Sequence, residues 1–181
     1  MPDATALSTL IRALDFAATK HRMQRRKDAE ASPYINHPIA LAAVLAVEAG
    51  IDDPVVLCAA VLHDTVEDTE TSFAELDEHF GAAIAAVVAE VTDDKALDKQ
   101  ARKELQVQRA AHSSKAARLV KLADKICNLR DLLAAPPKGW SAERKRAYFD
   151  WATRVIDGLR GTHAGLESTF DALCARAAEF D

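Results

Sequence analysis

Nowhere in this chain do apolar and polar residues alternate at a period of two for the length of a strand, and that absence restricts the fold more than any other feature. Apolar residues recur instead at helical spacing, in runs that open and close on helix signals. Leu7, Leu10, Ile11, Leu14, Ala17 and Ala18 share that spacing in ATALSTLIRALDFAATKHR. HPIALAAVLAVEAG has Pro38 where a first helical turn accepts proline and Gly50 where a helix stops. Asp53-Pro54 starts the next run, VVLCAAVL. Ser72 and Glu75 stand at capping-box spacing ahead of a short helix ending near Gly81, and AAIAAVVAEVT carries a further one. A charged helix starts at Asp98. Ser113 or Ser114 caps KAARLVKLADKICNLRDLLAA, which stops at Pro136-Pro137. Ser141 opens a segment through YFDWATRVIDGLR, and a last helix is expected from near Thr162 to Glu179. Only 6 glycines and 6 prolines interrupt an alanine-rich chain, in keeping with helices. The expected fold is all-α, a single helical bundle over residues 1–181 with short connections.

The 181 residues suffice for one packed core, and a hydrophobic share of 49% excludes a disordered chain. A formal net charge of -5 argues against wrapping nucleic acid. No apolar run is long enough to span a membrane, and the N-terminal stretch lacks the core and cleavage site of a secretory signal. Cys58, Cys127 and Cys174 form no paired motif and are expected as buried thiols in a reducing compartment. The expected location is cytoplasmic, with neither nucleic acid nor membrane as partner; oligomeric state is left open.

The stretch VLHDTVEDTE breaks the pattern of burial. It places His63, Asp64, Glu67 and Asp68 at the end of an apolar run, where desolvating four titratable groups is costly unless something binds them. Residues four apart share a helix face, so a continuing helix would stack His63 with Glu67 and Asp64 with Asp68. His37, at a helix start in PYINHP, and Asp124, within the apolar VKLADKICNL, extend the set. Together His37, His63, Asp64 and Asp124 offer nitrogen and oxygen donors without a thiolate. Such a set suits an octahedral ion with open positions, Mn²⁺ foremost, with Fe²⁺, Co²⁺ or Zn²⁺ compatible. A metal there acidifies bound water, and Glu67 and Asp68 are candidates for moving its proton or orienting it. Taken singly, each residue has an ordinary reading. His37 would cap a helix, Asp124 would pair with Lys121 or Lys125, and Glu67-Asp68 would form a polar helix end.

KHRMQRRK concentrates Lys20, Arg22, Arg25, Arg26 and Lys27 in an otherwise acidic chain. It reads either as a basic helix C-terminus or as a phosphate clamp ahead of His37. His21, His79, His112 and His163 have no matching partners and receive no role.

These residues resemble a known family. His37, His63-Asp64 and Asp124 match the HD-domain metal phosphohydrolases. RRKD, PYINHP, LHDTVEDT, HFG, EVTDDK, AHSSKAA, VKLADKICNLRDL and YFDWA resemble, over nearly the whole chain, the hydrolase domain of Rel/Spo alarmone enzymes. The likeness is greatest to the stand-alone small alarmone hydrolases, metazoan SpoT homologues among them. The resemblance implies Mn²⁺-dependent hydrolysis of (p)ppGpp at its 3′-pyrophosphate, with His37, His63, Asp64 and Asp124 as ligands and Glu67 and Asp68 as catalytic carboxylates. It implies substrate contacts from Arg26, stacked on the base, Lys27, Asn128 at the ribose or phosphate, and more peripherally Lys99, Arg144 and Tyr148. The segment DAEAS (28–32) departs from the Ser-Gly-Glu-like linker of the long enzymes. The length leaves no room for a synthetase domain, so degradation and not synthesis is expected. An NADPH 2′-phosphatase, another HD-type nucleotidase, or a nucleotide-binding regulator without turnover are the competing readings.

Overall fold

The run that opens at Pro54 is the hub of the fold. In the computed structural model, which describes residues 4–180, it forms helix α3 (Pro54–Leu62). Asp53 caps it, its Oδ1 accepting from the Val55 N–H at 2.9 Å. Every residue from Val56 to Leu62 is buried, as expected of a helix that is apolar all round. Residues 1–3 and 181, the ends of the expected domain, lie outside the described residues.

Four helices pack on α3: α1 (Ala4–Lys20), α2 (Asn36–Ala43), α6 (Ala82–Val91) and α8 (Lys115–Ala134). The face of α1 that does so keeps Leu10, Leu14 and Ala17 of the expected set and leaves out the rest. Leu7 and Ile11 are 52% and 56% exposed, whereas Ala13 and Ala17 are fully buried, with Leu10 and Leu14 beside them. Small side chains allow α1 to approach α3 closely, and that proximity outweighs the larger apolar area of Leu7 and Ile11. Pro38 falls third in α2, where its missing N–H is still no loss. The continuation Val44–Glu48 widens into a π-helical turn, which stops before Gly50 at φ +67°. Glu48 there clamps Arg130 of α8 through two bonds of 2.7 and 2.8 Å.

The remaining helices follow their caps. These are the one-turn α4 (Thr65–Asp68), α5 (Phe73–Phe80), α7 (Lys99–Ala110), α9 (Ala142–Asp157) and α10 (Ala164–Cys174). Ser72, Asp98, Ser114 and Ser141 each accept a backbone N–H at their helix start. The expected last helix divides, with Ala175–Phe180 tightening into a 3-10 segment. Gly81 joins α5 to α6 at φ 87°, ψ 158°.

Among the described residues there is no strand, only an isolated bridge between Arg25 and Pro33. It closes a loop in which Arg26 N–H donates to Ser32 O (2.9 Å) and Tyr34 N–H to Gln24 O (3.1 Å). Asp28 organises its tip, accepting the Ser32 hydroxyl and the N–H groups of Glu30 and Ser32, both at 3.1 Å. No described helix is long and apolar enough to cross a membrane. All three cysteines are free; Cys58 and Cys127 are buried and Cys174 half-buried.

Candidate active site

Helix α3 ends at Leu62, and a turn at His63-Asp64 (Asp64 φ −102°, ψ 0°) separates it from α4. The Thr65 hydroxyl folds back to accept this break, donating to Leu62 O at 2.7 Å. His63 therefore sits at a helix end inside the bundle. Its Nδ1 lies 2.8 Å from Ala60 O. A carbonyl only accepts, so Nδ1 carries hydrogen and a neutral ring turns its lone pair out at Nε2. That Nε2 is buried without a hydrogen-bond partner. Asp64 Oδ2 is 2.9 Å away, outside hydrogen-bond alignment, and Asp124 Oδ1 is 4.0 Å away. His37 Nε2 lies 3.3 Å from the same Asp124 oxygen.

One donor atom each from His37, His63 and Asp124 lies within 4.8 Å of the other two, and all three residues are buried. An orphaned imidazole nitrogen among carboxylates fits a divalent cation. The surroundings hold the donors in place. Lys125 Nζ donates to Asp124 Oδ2 (2.9 Å), Asn128 Nδ2 to Asp124 Oδ1 (2.6 Å), and the Tyr34 hydroxyl to Asp64 Oδ2. Of the two lysines that sequence offers Asp124, Lys125 is the partner; Lys121 donates to Val91 O at 2.7 Å. Without a metal, burial opposes charge on His63, but Asp64 and Asp124 outweigh it and lift its pKa to about 9. Burial likewise opposes charge on the two aspartates. His63 nonetheless holds Asp64 below the usual carboxylate range, and Lys125 does the same for Asp124.

Because α3 stops short, Glu67 and Asp68 ride on α4 and have separate settings. Glu67 accepts from the Asp93 N–H (3.3 Å) and from Arg102 (3.5 Å). Burial, then the charges of Asp64 and Asp93, raise its pKa. Asp68 accepts Gln24 Nε2 at 2.8 Å and Lys95 Nζ at 2.6 Å, and it faces a cleft of about 630 Å³. The same cleft is lined by His37, Asn128, Arg26, Lys27, Trp140 and Tyr148, a size and lining suited to a nucleotide. Arg26 is paired with Asp131, its guanidinium 5.7 Å from the Tyr34 ring centre. Trp140 and Tyr148 also wall a second cleft of about 480 Å³ that holds Lys99, Lys103 and Arg144. Burial lowers the pKa of Lys99, and the charges of Arg144, Lys27 and Arg102 lower it further. Cations crowded in this way favour a polyanion.

The structure thus clusters His37, His63 and Asp124 with Asp64 beside His63, places Asp68, Asn128, Arg26, Lys27 and Tyr148 on the first cleft, sets Glu67 against Asp93 and Arg102, and puts Lys99 and Arg144 in the second cleft. It adds residues that sequence did not single out: Gln24, Tyr34, Lys95, Arg102 and Trp140. A tryptophan just beyond Pro136-Pro137 was a local signal for an aromatic wall, and Arg144 now lies over it, 4.3 Å from the ring centre. His21, given no role, is buried beside Tyr34, ring centres 4.9 Å apart.

Two histidines near helix ends, gathered with buried aspartates within an all-α bundle, define an HD-domain protein. Residues 13–154 match the HD domain family, and the chain belongs to it. Its relatives narrow this to the MESH1 group of metazoan SpoT homologues. Over 158 residues it is 60% identical to the Homo sapiens guanosine-3′,5′-bis(diphosphate) 3′-pyrophosphohydrolase MESH1, covering 87% of this chain and 88% of that protein. The Drosophila melanogaster MESH1 is 54% identical over 158 residues, with the same coverage of 87% and 88%. A solved structure of a metazoan ortholog of SpoT that hydrolyzes ppGpp superposes with a TM-score of 0.92, at 50% identity over 97% of both chains.

Proposed function

We propose that the chain hydrolyses guanosine 3′,5′-bis(diphosphate) and its 5′-triphosphate counterpart at the 3′-pyrophosphate, yielding GDP or GTP and pyrophosphate, with Mn²⁺ as the working ion. The observation that carries this reading is the buried, unpartnered His63 Nε2 among His37, Asp64 and Asp124, beside a cleft edged with cations. Similarity to MESH1 supplies the substrate. The four residues are the ligands in this reading. A divalent ion there supplies Lewis acidity and an acidified water.

The chain's own groups do the rest. Water attacks the phosphorus bonded to the 3′-oxygen, and that bond breaks so that pyrophosphate departs. Glu67, its pKa raised, accepts the proton lost by the water; an equivalent proton ends on the 3′-oxygen. Asp68, held by Gln24 and Lys95, orients the attacking water. Lys125 and Asn128 fix the Asp124 carboxylate. Trp140 gives the base a wall, Arg26 and Tyr34 its other edge, and Lys27, Lys99, Arg144 and Tyr148 receive the 5′-phosphates. Residues 1–181 act as a single domain in this account, in a reducing, cytoplasmic setting consistent with the free thiols.

The deciding experiment incubates metal-stripped protein with the guanosine substrate, with Mn²⁺ or with chelator, and with NADPH in parallel. GDP and pyrophosphate appearing only with Mn²⁺ support the reading. Phosphate from NADPH without guanosine turnover keeps the site and replaces the substrate. Asp64→Ala retaining full activity removes the ligand assignment.

A further inference from the structure

The turn after α1 connects His21 to the reacting end of the site. The Asp68 carboxylate accepts Lys95 Nζ at Oδ1 (2.6 Å) and Gln24 Nε2–H₂ at Oδ2 (2.8 Å), so Gln24 turns its carbonyl Oε1 away. That oxygen meets His21 Nδ1 at 2.6 Å. An amide carbonyl accepts, so the imidazole donates. The order of atoms is then settled throughout: His21 Nδ1–H to Gln24 Oε1, Gln24 Nε2–H to Asp68.

His21 is well placed to hold such a chain. It is 2% exposed, and its burial lowers its pKa, keeping the ring neutral near pH 7. Its backbone N–H bonds Ala17 O at 2.9 Å, and Ala17 is fully buried in the core. Gln24 N–H in turn bonds His21 O at 2.9 Å. The same ring packs on Tyr34, whose hydroxyl donates to Asp64. One buried imidazole therefore braces the supports of both Asp64 and Asp68.

We infer that His21 is a positioning residue for hydrolysis, acting through Gln24 to hold the Asp68 carboxylate in its reactive orientation. The inference rests on the reading of Asp68 as a participant in the chemistry. A half-buried Gln24 swings on several bonds, and a buried donor fixed to α1 removes that freedom before substrate arrives.

The test is a set of kinetic cycles on the full, Mn²⁺-loaded chain with the guanosine substrate. Gln24→Met and His21→Phe are each made alone and together with Asp68→Asn; kcat and KM are read at steady state for the single variants, and rates in the Asp68→Asn background are read in single turnover with enzyme in excess so that slow variants remain measurable. Each single variant is expected to lower kcat about tenfold while leaving KM within about twofold, as loss of an orienting hydrogen bond on a charged group would. In the Asp68→Asn background neither should lower the rate further. A merely structural role lowers the rate equally in both backgrounds and overturns the inference. So does an unchanged kcat for Gln24→Met, the variant that leaves the core intact should His21→Phe fail to fold. If Asp68→Asn alone keeps the full rate, the reading of Asp68 itself falls, and the inference with it.

Discussion

Lys125 and Lys121 lie one turn apart on α8 and differ in what their ammonium groups meet, which makes them a matched pair for a stability measurement. Lys125 is 3% exposed; its Nζ is 2.9 Å from Asp124 and 4.5 Å from the centre of the Trp151 ring. Lys125→Met keeps the volume and leaves a buried carboxylate short of its nearest cation. Breaking a buried pair from one side costs about 3–5 kcal/mol. His37 and His63 remain beside Asp124, their Nε2 atoms 3.3 and 4.0 Å from its Oδ1, so the lower figure of about 3 kcal/mol applies. For a chain of this size that is a fall in Tm of about 6–12 °C. Lys121 donates only to Val91 O, and burial already disfavours its charge, so Lys121→Met should cost about 1 kcal/mol or less. Saturating Mn²⁺ should narrow the Lys125→Met deficit, because the ion supplies the missing positive charge beside Asp124. Thermal unfolding of wild type and both variants, with chelator and with Mn²⁺, reads all of this. Equal losses for the two lysines would refute the pairing argument; a Lys125→Met deficit indifferent to Mn²⁺ would refute the placement of the ion.

Glu67→Gln should lower kcat by about 10²–10⁴ while Mn²⁺ binding, followed by titration calorimetry, stays near wild type; equal loss of both would make Glu67 a support of the metal cluster instead. The metal-free protein should lose stability as pH rises. His63 is raised to about 9 in the folded chain, so its contribution is full below its unfolded value near 6.5 and disappears as pH passes about 9. With Mn²⁺ the trend should reverse across the same window, since the ion competes with that proton, and a parallel decline in both states would sink the assignment. Gly81→Ala places a Cβ with nothing within 4 Å, so its cost is backbone strain alone, about 1–3 kcal/mol, read as a lower denaturant midpoint at unchanged slope.

Helix starts were legible in the sequence because a cap is local: Asp53, Ser72, Asp98, Ser114 and Ser141 each bind N–H groups two or three residues on. The identity of the candidate ligands was legible for a different reason. Few arrangements other than a bound ion justify His63-Asp64 and Asp124 inside apolar runs. What was not legible depended on partners far along the chain. Helical spacing in α1 marked Leu10, Leu14 and Ala17, but it did not separate them from Leu7 and Ile11, which the packing on α3 leaves exposed. Glu67 and Asp68 ride on α4, beyond the end of α3 at Leu62, and take their settings from Asp93, Arg102, Gln24 and Lys95.

The same division holds for the whole protein. Sequence by itself determined the helical class, the caps and the inventory of donor groups, since each rests on spacing within a turn or two and on the desolvation cost of a charged side chain. Tertiary structure decided which lysine serves Asp124, how His21, Gln24 and Tyr34 reach the reacting carboxylates, and how Trp140 comes to wall two clefts. Gln24 with Asp68, Tyr34 with Asp64, and Lys121 with Val91 are 44, 30 and 30 positions apart, and only the packing of the helices around α3 brings their atoms within hydrogen-bond range.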